Sequence, residues 1–70
     1  MTGHEFLRRL TKLAKAQGVQ VVYDPRHGKG SHGRVLYGSD STALKDPKKE
    51  LGPGLLSKMC RNLGIKANDL

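Results

Sequence analysis

Two stripes of apolar residues at helical spacing, one near each end of the chain, constrain the fold more than any other feature. Phe6, Leu7, Leu10, Leu13 and Ala14 recur along one face of a helix, and Leu55, Leu56, Met59, Cys60 and Leu63 do the same further on. Thr2-Gly3-His4-Glu5 has the capping-box pattern, a hydroxyl to accept from a backbone N–H and a carboxylate to reach back, so it predicts the start of the first helix. Gly18 predicts its end. Pro53 suits the first turn of the second helix, where its missing N–H costs little, and Gly64 predicts the stop.

Between the stripes lie short β-branched and aromatic runs. Val19–Tyr23 predicts a first strand ended by Asp24-Pro25, Arg34–Tyr37 a second, and Ser41–Leu44 a third after a Gly38-Ser39-Asp40 turn. Turns this short imply an antiparallel meander. Asp46-Pro47-Lys48-Lys49-Glu50 reads as a polar connection to the second helix. Each helix has to bury its stripe, and one face of a three-stranded sheet is the surface on offer. The expectation is an α+β fold: a two-layer α-β-β-β-α domain over residues 1–70, with a three-stranded antiparallel sheet, both helices on one face and the other face open.

Thirteen Lys and Arg against six Asp and Glu give a formal charge of +7 and a sequence pI of about 10.0. This balance favours a polyanionic partner such as nucleic acid. Arg8, Lys12 and Lys15 form a basic stripe on the first helix opposite its apolar face, a pattern that a merely solvated surface also produces. No segment approaches the ~20 apolar residues that span a bilayer, and no ~7–15-residue apolar secretory stretch opens the chain, so no membrane partner and a cytoplasmic location are expected. Cys60 is the single cysteine and falls on the apolar stripe, which makes it a packing residue. Scarce aromatics argue against a platform for stacking single-stranded bases.

The segment His27-Gly28-Lys29-Gly30-Ser31-His32-Gly33-Arg34 opens the second strand. Strand alternation would direct His32 and Arg34 to the same, open face if Val35 and Tyr37 point toward the helices. Glycine N–H groups at Gly28, Gly30 and Gly33 suit close approach to phosphate oxygens, and Arg26, Lys29 and Arg34 add positive charge. An imidazole there can take a proton from a ribose 2′-hydroxyl or give one to a leaving oxygen near neutral pH. His27 is a second proton carrier within the same loop, although a Gly-rich basic loop also occurs as a plain strand connection. Asp24, Asp40 and Asp46 fall in separate turns with no metal-ligand spacing, so no metal and no cofactor are expected.

These residues resemble the HicA family of small messenger-RNA-cleaving toxins. The likeness runs over nearly the whole chain and rests on Phe6-Leu7-Arg8 in the first helix, Gly30-Ser31-His32 before the second strand, and Gly54-Leu55-Leu56-Ser57-Lys58-Met59 with Leu63-Gly64-Ile65 in the second helix. The resemblance implies a fold like the double-stranded-RNA-binding domain, with His32 as the catalytic residue of an endoribonuclease. It also implies a HicB-type antitoxin partner, whose small domain covers the active face. Lys29, Gly30, Ser31 and Arg34, together with Arg8 and Lys12, would hold the RNA phosphates. The chain departs from the family at Gly33, where many members have a second histidine, and at Asp46-Pro47, where many have Pro and His. A non-catalytic RNA-binding module of the same shape is the alternative, and a subunit whose basic face meets an acidic protein is a further one.

Overall fold

In a computed structural model, which describes residues 1–25 and 33–70, the first helix, α1, runs over Gly3–Gln17. Thr2 caps it through the expected hydroxyl, which accepts from the Glu5 N–H at 3.3 Å. The second half of the capping box is not made. The Glu5 carboxylate turns along the helix to Arg8 and Arg9, and the N-terminal turn is satisfied instead by the connection that precedes the second helix. There Gly3 N–H donates to Lys49 O at 3.1 Å and His4 N–H to Pro47 O at 2.9 Å. The approach is so close that a Cβ on Gly3 would lie 2.6 Å from the Pro47 Cα. Asp46–Glu50 is thus a docking platform for α1 as well as a polar connection.

Gly18 ends α1 in the left-handed conformation (φ 70°), where a β-carbon would be strained. The following Val19 N–H reaches back to Ala14 O at 2.9 Å. That bond explains why the first strand, β1, spans Val21–Asp24 and starts later than the sequence pattern suggests: Val19 closes the helix. Strands β2 (Gly33–Tyr37) and β3 (Asp40–Leu44) complete an antiparallel sheet of order β1-β2-β3. Helix α2 covers Pro53–Asn62, and a short 3₁₀ turn at Ala67–Asp69, not anticipated from the sequence, follows it. The expected α+β fold, with three antiparallel strands between two helices, is the observed one.

Side-chain alternation divides the sheet. Val35, Tyr37, Thr42 and Leu44 are buried, and their strand neighbours Arg34, Leu36, Ser41 and Ala43 are half-buried or exposed. Val35, Tyr37 and Leu44 join Phe6, Leu10 and Ala14 of α1 and Met59 and Cys60 of α2 in one cluster with Leu51 and Leu63. Phe6, Leu10, Val35, Met59 and Leu63 are each no more than 1% exposed. Full burial of such side chains contributes roughly 1.5–3 kcal/mol apiece, which makes this cluster the main source of stability. The polar groups that enter it are paired: Thr42 Oγ1 accepts from Asn62 Nδ2 at 3.1 Å, and the Tyr37 hydroxyl donates to Gln17 Oε1 at 3.0 Å. Of the other stripe residues Leu7, Leu13 and Leu56 are half-buried, and Leu55 is 50% exposed.

Gly33 at the start of β2 has no room for a side chain. A Cβ there would lie 2.6 Å from the Tyr23 hydroxyl oxygen and 2.7 Å from Leu44 O, on the helix side of the sheet. Overpacking a core position costs about 1–3 kcal/mol. Gly33→Ala should therefore lower unfolding stability by roughly that amount, read from the midpoint of urea denaturation. An unchanged midpoint would show that Tyr23 does not fill this space.

Candidate nucleic-acid interface

The uncovered face of the sheet carries Val22, Asp24, Arg34, Leu36, Ser41 and Ala43, none of them fully buried. Arg34 sits on the central strand, paired in register with Asp24 of β1 and Ala43 of β3. Its guanidinium is held by a neutral group: Nε and Nη2 donate to Ser41 Oγ at 3.2 and 3.1 Å. Among the described residues Arg34 makes no ion pair. A guanidinium oriented by a hydroxyl retains donors for an arriving oxyanion.

Arg8 and Lys12 lie elsewhere. They project from the side of α1 opposite Phe6, Leu10 and Ala14, and α1 lies on the inner side of the sheet. The α1 stripe and Arg34 therefore leave the domain on opposite sides and do not form one patch. A cavity of about 450 Å³ lined by Arg8, Arg9, Lys12, Leu13 and Asp69 gives the stripe its own concave surface. Arg9 belongs to it, although the sequence pattern singled out Arg8, Lys12 and Lys15. Its spacing of four residues from Glu5 was the available signal.

Glu5 governs the charge of that surface. Arg8 holds its carboxylate through Nε at 2.9 Å and Nη2 at 2.7 Å, and Arg9 adds Nε at 3.1 Å. These hydrogen bonds, Arg8 first and then Arg9, hold the Glu5 pKa down to about 2, and the same contact raises that of Arg8. Arg8 and Arg9 are thus partly neutralised inside the protein, while Lys12 makes no ion pair among the described residues.

Lys29, Gly30, Ser31 and His32 fall in the segment 26–32, outside the described residues, as does His27. Their sequence position relative to the fold is defined: His32 immediately precedes β2 and is two residues from Arg34. His4 is exposed on the first turn of α1. Cys60 is 2% exposed, and burial pushes its thiol pKa upward, in keeping with a packing role. No described helix is long and apolar enough to cross a membrane. Among the described residues no group of three or more His, Cys, Asp or Glu stands together. The fold and surface define a small basic α+β domain with one open sheet face, and no family model, curated protein or solved structure matches the chain.

Replacing Glu5 by Gln should release Arg8 and Arg9 toward solution anions. If the α1 stripe contacts RNA, the slope of log affinity against log salt for poly(U) should steepen by about 0.7 for each guanidinium that transfers to a phosphate. Fluorescence anisotropy over a salt series measures it. A slope identical to that of the parent protein would remove α1 from the interface.

Proposed function

We propose that the protein is a HicA-like endoribonuclease, the toxin half of a toxin–antitoxin pair, which cleaves messenger RNA in the cytoplasm without a metal ion. The observation that carries the reading is Arg34: a guanidinium on the open sheet face, held by the Ser41 hydroxyl and without an ion pair among the described residues, two residues after the histidine of Gly30-Ser31-His32. A net charge of +7 supports a polyanionic substrate. The family resemblance supplies the histidine's role and the HicB-type antitoxin as protein partner.

In this mechanism Arg34 and Lys29 hold the scissile phosphate by charge, and Ser31 and the Gly30 amide orient it. The neighbouring ribose 2′-hydroxyl attacks phosphorus as the bond to the 5′-oxygen breaks. His32 serves as general base for the 2′-hydroxyl or as general acid for the departing 5′-oxygen, and the complementary proton moves through a second group or water. The products are a 2′,3′-cyclic phosphate and a 5′-hydroxyl. Arg8 and Lys12 lie on the opposite side of the domain, so they would engage a distant part of the same RNA, or a second strand.

Incubation of a defined RNA with parent protein and His32→Ala, in the presence of chelator, tests this reading. The parent is expected to produce cyclic-phosphate ends, identified by mass spectrometry. The variant should be slower by about 10²–10⁴, the usual contribution of one general acid or base. Equal rates from a folded variant would remove His32 from the chemistry. Retention of RNA by both proteins with no new ends would make the domain a non-catalytic RNA-binding module.

A further inference from the structure

A groove lies between β3 and α2, apart from the α1 stripe. Two depressions of about 400 and 170 Å³ share Ala43, Leu55, Lys58 and Met59, and so adjoin along this groove. Its apolar floor includes Leu55, a large aliphatic side chain left 50% exposed although it belongs to the helix's apolar stripe. Lys45, Lys49 and Lys58 line the larger depression, and Arg34 lines the smaller one. None of these four cations makes an ion pair among the described residues.

Two acidic residues, Asp46 and Glu50, share the lining, but both carboxylates are engaged. Asp46 Oδ1 accepts from the Lys48 N–H at 2.9 Å, and Glu50 pairs with the Met1 ammonium. An amide hydrogen bond leaves the Asp46 charge in place, so the larger depression sets three lysines against the Asp46 carboxylate and keeps a net positive charge around an aliphatic centre. β3 is also an edge strand, paired with β2 alone, so its outer rim has no strand neighbour in the sheet. Exposed edges of this kind accept an added strand from another chain.

We propose that this groove binds an extended acidic segment of another polypeptide. The segment lies along β3, sets an apolar side chain against Leu55 and meets Lys45, Lys49 and Lys58 with its carboxylates. Charge complementarity selects an acidic partner. The aliphatic centre at Leu55 and the edge position of β3 favour polypeptide over nucleic acid. The inference goes beyond RNA cleavage and does not depend on it.

The probe is a short fluorescein-labelled peptide of alternating glutamate and leucine, followed by anisotropy with the whole protein. Binding should be saturable and should strengthen as salt falls. It should weaken about tenfold or more in Leu55→Glu and in the double variant Lys45→Glu/Lys58→Glu, as expected for a central anchor and its charged rim. Leu55→Ser serves as a second, milder variant, with circular dichroism and thermal unfolding to establish that each is folded. Val22→Glu on the open sheet face should bind the peptide as the parent does, and RNA cleavage by the uncharged variant Leu55→Ser should be unchanged. No saturable binding, or equal binding by parent and folded Leu55 variants, would overturn the proposal. So would loss of RNA affinity without loss of peptide affinity in Lys45→Glu/Lys58→Glu.

Discussion

Phe6 and Leu10 of α1 and Met59 of α2 meet in one cluster with Val35 of the central strand, and all four are at most 1% exposed. Nothing else in so short a chain can bury comparable apolar area, so both helices must share one side of the sheet. The alternation of β2 and β3 is then determined, since register places Val35 opposite Thr42 and Gly33 opposite Leu44 on the buried side. Arg34, one residue out of phase, is left on the uncovered side. The position of the functional surface is thus a consequence of where the core lies.

The same constraint divides the positive charge. The stripe of α1 faces away from the sheet because Phe6, Leu10 and Ala14 face toward it, whereas Arg34 leaves on the far side. Between them, along the edge of β3, the half-exposed Leu55 and its surrounding lysines form a third surface of different character, aliphatic at its centre. Internal pairing grades these surfaces further. Glu5 occupies Arg8 and Arg9, Ser41 orients Arg34 without neutralising it, and the three lysines of the groove outnumber the two carboxylates that line it. A formal charge of +7 spread in this way is compatible with more than one kind of anionic partner.

Much of this architecture was legible in the sequence because local and tertiary preferences agree. Thr2, Gly18 and Pro53 mark helix ends at positions where the structure uses them, and the apolar periodicity identified Phe6, Leu10, Ala14, Met59, Cys60 and Leu63 as core. The misses involve competition for the same groups. Val19 looks like a strand residue but closes the helix cap, and Glu5 looks like half of a capping box but is captured by two arginines. Leu55 fits the stripe by spacing, yet it lies at the margin of the contact with β3, which only the packing reveals. Gly33 read as a site of RNA access, and the structure adds a packing reason for glycine there, since the Tyr23 hydroxyl and Leu44 O leave no room for a side chain. Of the candidate site, Arg34 was placed on the open face from alternation alone. The separation of Arg8 and Lys12 from Arg34 was not visible, because helix periodicity does not say which side of a sheet the helix covers. Lys29, Gly30, Ser31 and His32 lie outside the described residues.

The central claim is that the sheet face left bare by the two helices is where RNA binds. Nuclear magnetic resonance titration of isotope-labelled protein with a 2′-O-methyl RNA, whose attacking hydroxyl is blocked, addresses it without interference from cleavage. The account expects saturable shifts in the Arg34 Nε–H signal and in the backbone amides of Val22 and Leu36, with little change at Phe6 and Cys60 in the core. Saturable shifts confined to α2, with Arg34, Val22 and Leu36 unmoved, would contradict it.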